Sequence, residues 1–334
     1  MGIVSTMEGH CRSCFACVRN CPVKAIKVEN GQAKVVPELC ISCGHCVKVC
    51  SQGAKTIDSV LHQVQSWLDG GERVAACLAP SFVIEFVDSL PGQVVSALKK
   101  AGFWQVYEVA FGADLVSREY HELLQKGEWE GPCISTSCPA VINLVEKFFP
   151  DLVPALAPVV SPMIAAGRYV KQNNGEEIKV VFIGPCIAKK EEINDRVEAR
   201  GVDAVLTFDE LHNLFRWSDI DISKEPVTGF DNPPTGLGRI YPLGGGLLKS
   251  ASFEYDLLQT EIIAVEGKDN CLKMLEALQK SQGKRRFIDA LFCEGCINGP
   301  MISTHLDIFQ EREKVVAYYS RLGDHQETRG PELA

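Results

Sequence analysis

The sequence predicts a small cysteine-rich α+β module followed by a larger α/β domain. Three observations predict it. Two copies of the run C-x2-C-x2-C-x3-C fall within the first 50 residues. A hairpin signal lies between them. From Val74 onward, short apolar runs alternate with helical stretches, the pattern of α/β layers with mainly parallel sheets. The expected organisation is a module over 1–54, a linker helix over 55–73, the α/β domain over 74–324 and a polar tail over 325–334.

The 334 residues suffice for two or three cores. Apolar residues make up 46% and charged residues 23%, which argues against disorder. The net charge of -9 argues against a broad nucleic-acid surface and is compatible with a basic or neutral redox partner. No apolar run reaches the ~18 residues of a membrane span. The start, MGIVSTMEGHCRSC, lacks a basic stretch followed by an apolar one, so no secretory signal and a cytoplasmic location are expected.

The module has too little apolar content to hold itself without crosslinks, and metal ligation can supply the missing energy. The chain has 15 cysteines, an odd number, and a secreted disulfide framework does not explain the spacing. The runs are Cys11, Cys14, Cys17, Cys21 and, 29 residues later, Cys40, Cys43, Cys46, Cys50. Four soft thiolates hold a cubane, and in this arrangement the fourth cysteine of each run ligates the other cluster. Cys11, Cys14, Cys17 and Cys50 are therefore expected to hold one [4Fe–4S] cluster. Cys40, Cys43, Cys46 and Cys21 are expected to hold the second, as in a bacterial ferredoxin. Zinc is the alternative, common for a single C-x2-C pair but rare for two copies with crossed fourth ligands. Between the runs, Ala25–Val28 and Ala33–Val36 flank Asn30-Gly31, a hairpin signal.

Next, Val60, Val64 and Leu68 recur at helical spacing until Gly70-Gly71. Val74–Leu78, Val106–Val109, Ile178–Ile183 and Ile262–Val265 read as strands. Phe82–Leu90 can start a helix after the Ala79-Pro80-Ser81 turn. Leu115–Leu124, Val141–Phe148 and Leu272–Leu278 read as helices. The glycines from Gly229 to Gly246 punctuate a stretch without periodicity, expected to be long loops.

Seven more cysteines lie in the larger domain. Cys138, Cys186, Cys293 and Cys296 each follow an apolar strand candidate, where α/β sheets gather ligands and helix starts favour thiolates. They can converge on one cubane. A small zinc site or inert buried thiols stand equally open on the residues alone. Cys77 sits mid-strand, where a small hydrophobe is expected. Cys271 sits beside a helix start, and Cys133 is ambiguous.

Three segments resemble the signature loops of [FeFe] hydrogenase large subunits. They are TSCPAVINLVEKFFPDLVPALAPVVSPM, GPCIAKKEEINDR and FCEGCINGP. Ala79-Pro80-Ser81 and Phe111–Leu115 also match family segments. The resemblance implies two α/β lobes with a metal centre between them. In the family that centre is a cubane bridged through one cysteine to a two-iron unit carrying CO, cyanide and a dithiolate amine, the H-cluster. By resemblance Cys138, Cys186, Cys293 and Cys296 hold the cubane, with Cys296 as the bridge. Lys189 matches the lysine that binds cyanide, with a solvated lysine in a charged run as its alternative. Pro80 and Ser81 match residues that line the two-iron pocket in the family. Ser137 stands where active members carry a proton-relaying cysteine, and a hydroxyl is the poorer acid. Ala157 stands in place of a relay serine, Gly184 in place of a methionine, and the last cysteine pair is shortened. Glu119 and Glu122 are candidate relay carboxylates, with a solvated helix face as the alternative. These departures resemble divergent, sensory or regulatory branches.

The resemblance therefore implies a hydrogenase-like protein, slow or sensory, with electrons relayed through [4Fe–4S] clusters. The alternative is a non-catalytic electron-transfer or cluster-assembly subunit. A redox protein such as a ferredoxin, an iron–sulfur or flavin subunit, H2 and protons, and a maturation machinery are the implied partners.

Overall fold

The computed structural model describes residues 2–126, 131–195, 200–253, 260–280 and 286–320. The expected polar tail over 325–334 lies outside the described residues.

The module is α+β. Strands β1 (Val4–Thr6) and β4 (Lys55–Ile57) pair antiparallel and tie its two ends together. Strands β2 (Ile26–Glu29) and β3 (Gln32–Val35) form the hairpin. Asn30 and Gly31 both take positive φ, as a two-residue turn matching the strand twist requires. Helices α1 (Ala16–Asn20) and α2 (His45–Lys48) carry Cys17 and Cys46. The 29-residue repeat recurs in the backbone. Ser13, Phe15 and Lys24 take left-handed φ, and so do Ser42, Gly44 and Gly53. The same wrap around two equivalent centres thus imposes the same unusual turns.

Helix α3 (Leu61–Asp69) leads to the larger domain, which contains two parallel sheets. In the first, β5 (Val74–Leu78), β6 (Gln105–Glu108), β8 (Lys179–Gly184) and β9 (Ala204–Thr207) run in the order β6-β5-β8-β9. All three pairings are parallel. Every residue of β5 is buried, which explains its unbroken apolar run. In the second sheet, β7 (Pro132–Ile134), β10 (Ile262–Glu266) and β11 (Arg286–Leu291) run in the order β10-β11-β7, again parallel. Between strands lie α4 (Phe82–Glu85), α5 (Pro91–Lys100), α6 (Val109–Lys126), α7 (Pro139–Phe148), α8 (Pro162–Asn174) and α9 (Ala188–Asp195). They are followed by α10 (Phe208–Trp217), α11 (Gly246–Ser250), α12 (Lys268–Lys280) and α13 (Ile308–Ser320). Because β7 lies between β6 and β8 in the chain, the chain crosses between sheets three times.

Three elements differ from the sequence expectation. Val109 begins α6 instead of ending a strand. A Cβ on Gly112 would meet the Pro162 carbonyl oxygen at 2.2 Å, so glycine lowers helix propensity there but lets α6 and α8 touch. The helix expected from Phe82 lasts one turn, and the longer α5 starts at Pro91. Pro91 fits the first helical position, and Gly92 makes room for Val227, which a Cβ would approach to 2.5 Å. The glycine-rich stretch is ordered by distant partners. Asp114 accepts N–H bonds from Gly236 and Gly238, both at 2.7 Å, and Arg239 pairs with buried Glu108 at 2.6 Å.

Candidate metal centre

In the module, Cys21, Cys40, Cys43 and Cys46 line one small gap of about 20 Å³, walled by Val4, Ile26 and Ile41 among others. Burial raises the Cys43 thiol, whose charge neighbours are Cys46, Cys40 and Cys21. Burial also pushes Cys46 up to about 12. Cys17 is raised by burial, with Cys50 and Cys11 as its thiol neighbours. The two groups thus cross between the runs. Each fourth cysteine accepts an N–H four residues on. The Ala25 N–H reaches Cys21 Sγ at 3.2 Å, and the Ala54 N–H reaches Cys50 Sγ at 3.3 Å. Such bonds stabilise a thiolate and tune a cluster's potential.

In the larger domain, Cys138 follows β7 at the start of α7, Cys186 follows β8, and Cys293 and Cys296 follow β11. The first sheet supplies one and the second three. Cys293 is raised well above a normal thiol by burial and by Cys138, Cys186, Cys296 and Cys43. Cys186 is pushed up to about 11, chiefly by burial, with Cys138 and Lys189 as neighbours. Cys296 is raised by burial and by Cys138 and Cys186. These four thiols are therefore one another's charge neighbours, brought by strands of both sheets. Among the described residues, no three His, Cys, Asp or Glu close on a point tightly enough for a single metal ion. Four thiols without imidazole or carboxylate suit iron–sulfur chemistry, and a cubane, with one thiolate per iron, spreads its ligands wider than one ion does. Cys77, Cys133 and Cys271 are buried core thiols. Cys271 donates its S–H to the Leu291 carbonyl at 3.4 Å.

The module docks on this centre through the loop that carries its second cysteine run. Gly44, next to Cys43, sits where a Cβ would lie 2.5 Å from Ile187 Cδ1 and 2.6 Å from Pro300 Cγ. Ile187 adjoins Cys186, and Pro300 follows Cys296. Lys48 Nζ donates to the Asn298 carbonyl at 3.3 Å, and Asn143 Nδ2 donates to the Ile41 carbonyl at 3.3 Å. Cys43, Cys138 and Cys186 pack against one core cluster.

The remaining residues divide. Pro80 and Ser81 are buried at the carboxyl end of β5, beside β8, where the Ala79 N–H bonds the Ile183 carbonyl at 2.8 Å. Lys189 is buried, so the charged run is no solvated face. Its ammonium pairs with Glu192 at 2.8 Å and donates to the Ser137 carbonyl at 3.4 Å. Ser137 Oγ is buried without a hydrogen-bond partner. Gly184 faces the Phe182 ring and Ala79, which a Cβ would meet at 2.8 and 2.9 Å, so a larger side chain has no room there. Glu119 and Glu122 are both exposed on α6, and Glu122 pairs with Lys126 at 3.5 Å. The helical period turns them away from the buried Val116 and Tyr120, which is the solvated-face alternative for both. Sequence reasoning missed Gly44, Glu192, Tyr241 and Asp289. An acid inside the apolar run RFIDALF was the visible signal for Asp289, and Tyr241 had none.

Residues 72–300 match the family described as iron only hydrogenase large subunit, C-terminal domain. The chain belongs to this family. Residues 10–55 match the 4Fe-4S dicluster domain. The NADP-reducing hydrogenase subunit HndD of Solidesulfovibrio fructosivorans is 28% identical over 259 residues, 68% of this chain and 44% of that protein. The cytosolic Fe-S cluster assembly factor NAR1 of Kluyveromyces lactis is 28% identical over 169 residues, 47% of this chain and 36% of that protein. The chain spans about half the length of the first hydrogenase relatives it matches. A variant of the [FeFe]-hydrogenase HydA1 from Chlamydomonas reinhardtii shares the fold, with TM-score 0.64 at 20% identity over 81% of this chain and 90% of that one.

Proposed function

We propose that the chain is an electron-transfer or cluster-handling iron–sulfur protein on the iron-hydrogenase scaffold. Cys11, Cys14, Cys17 and Cys50 would hold one [4Fe–4S] cluster, and Cys40, Cys43, Cys46 and Cys21 a second. Cys138, Cys186, Cys293 and Cys296 would hold a third. Bound clusters would supply one-electron carriers. The observation that carries the reading is the seating of Gly44, which brings Cys43 into the electrostatic neighbourhood of Cys293. A buried, closely packed seam excludes water and fixes the separation that electron transfer needs. Raised thiols must lose protons to bind metal, so loading releases protons.

The site's own residues weigh against fast H2 chemistry. Ser137 is a poor acid, and Ala157 carries no proton-transferring atom. Lys189 is already neutralised by Glu192. A slow or sensory hydrogenase is the second reading, favoured by buried Pro80, Ser81 and Lys189 beside Cys186 and Ser137. Iron counting and infrared spectroscopy separate the readings. About twelve irons per chain without CO or cyanide bands, after production with hydrogenase maturation proteins, supports the first. Bands from iron-bound CO and cyanide establish the second. About eight irons, with the four interlobe cysteines open to alkylation, ends both.

A further inference from the structure

Four cationic side chains are buried among the described residues: Lys55, Lys189, Lys190 and Arg239. The last three face the carboxylates of Glu192, Glu210 and Glu108 respectively. Lys55 pairs with no carboxylate among the described residues. It opens β4, 7% exposed, in register with Thr6 of β1. Its ammonium donates to Thr6 Oγ1 and, at 2.9 Å, to the Ala33 carbonyl. Both acceptors are neutral.

The 29-residue repeat breaks at this position. Cys21 and Cys50 each accept an N–H from the alanine four residues on, and both alanines, Ala25 and Ala54, are buried. The next residue is buried in both halves, but it is Ile26 in the first and Lys55 in the second. Ile26 packs in an apolar cluster with Cys17, Cys21 and Ala33. This backbone setting therefore takes an apolar side chain, and the fold itself does not call for a lysine there.

A buried ammonium without a carboxylate is costly. The groups placed to offset that cost are cysteines of both runs. The Ala33 N–H bonds the Cys11 thiol while the Ala33 carbonyl takes the Lys55 ammonium. Burial raises the Cys17 and Cys46 thiols, and the Lys55 charge opposes the rise in each. Cys11 and Cys17 belong to one expected ligand set and Cys46 to the other, so a single cation bears on both.

We propose that Lys55 is the shared counter-charge of the two module clusters and holds their reduction potentials up. The inference rests on the dicluster module of the proposed function and not on the interlobe cluster. Four thiolates leave a cubane net negative, and each electron accepted adds one more negative charge. A fixed ammonium in a low-dielectric interior therefore favours the reduced form. With an apolar side chain in its place, as at Ile26, the module would need a stronger reductant.

The test is an anaerobic redox titration of the iron-loaded full chain, with dithionite supplying one electron to each cluster and electron paramagnetic resonance as the readout. Lys55→Ile installs the apolar residue of the other half-repeat. It should make both module clusters at least tenfold harder to reduce, a fall of about 59 mV or more in each midpoint. Lys55→Arg should keep the wild-type midpoints, and a fall equal to that of Lys55→Ile would overturn the role of charge. Lys27→Met removes an exposed lysine already paired with Glu29 at 2.6 Å and should change nothing. The gap between wild type and Lys55→Ile should persist up to about 1 M salt, because a buried charge is little screened. Unchanged midpoints in Lys55→Ile with about eight irons or more bound, a gap that closes in salt, or an equal fall in Lys27→Met overturns the inference and leaves the dicluster reading standing. Fewer than about eight irons in the wild type overturns that reading itself. If Lys55→Ile fails to hold iron, Lys55→Gln decides, since it keeps a donor for Thr6 and Ala33 without the charge: lowered midpoints support the proposal and unchanged ones refute it. If both neutral variants lose iron, retention by Lys55→Arg supports the counter-charge and its loss there refutes it.

Discussion

Gly44→Ala tests the docking of the module on the interlobe centre. Gly44 has φ +73, so any side chain there incurs a left-handed backbone penalty of about 1–2 kcal/mol. The added Cβ also enters the space of Ile187 Cδ1 at 2.5 Å and Pro300 Cγ at 2.6 Å. Ile187 is fully buried and cannot swing aside cheaply. Overpacking of this kind costs about 1–3 kcal/mol more. Gly53 supplies the matched control, because it is the repeat partner of Lys24 in the same module, has φ +59 and has nothing within 4 Å of its would-be Cβ. Gly53→Ala should therefore lose only the backbone share, and Gly44→Ala about 2–5 kcal/mol in all. The measurement is anaerobic urea unfolding of the iron-loaded protein followed by cluster absorbance, with stopped-flow reduction of the interlobe cluster alongside. Gly44→Ala should slow that reduction while the module's own clusters reduce normally; Gly53→Ala should not. Equal stability losses and equal reduction rates in the two variants would refute the docking argument.

Lys189→Met should destabilise by about 3–5 kcal/mol, because it strands the buried Glu192 carboxylate. Lys189→Met with Glu192→Leu should recover most of that loss, and strictly additive unfolding energies would contradict the pairing. Glu119→Gln and Glu122→Gln should leave iron content and unfolding midpoint unchanged, since both residues face solvent; a loss of iron in either would restore them to the centre. Asp289 makes stability pH-dependent. Its folded acid is raised from 3.8 to about 7, so the folded state binds the proton more tightly than the unfolded chain. Stability should therefore fall as pH climbs through that interval, by roughly 4 kcal/mol at most, and Asp289→Asn should lack this component in urea unfolding at each pH.

The cysteine runs were legible because cluster chemistry fixes ligand type and spacing over a few residues, and local backbone must repeat when the ligand geometry repeats. Ser13, Phe15 and Lys24 matching Ser42, Gly44 and Gly53 is the structural form of that repeat. The buried strand β5 was legible because a parallel strand covered on both faces must be apolar throughout. The start of α6 and the whole of α5 were hidden because Gly112, Pro91 and Gly92 answer to close packing instead of local propensity. For Glu119 and Glu122 the sequence left a relay and a solvated face both open, because spacing near a motif does not say which face of a helix is exposed; both are exposed.

The sequence alone therefore determined the α+β module, the α/β character of the rest, and which thiols are candidates for iron. These follow from short-range rules: side-chain period, turn chemistry and the few residues between ligands. Tertiary structure decided that Cys186 from one sheet becomes a charge neighbour of Cys138, Cys293 and Cys296 from the other, that Lys189 is claimed by Glu192, and that Asp289 lies buried without a cation. Those outcomes depend on how two lobes and a module pack, and burial and charge pairing between distant residues exist only once the chain has folded.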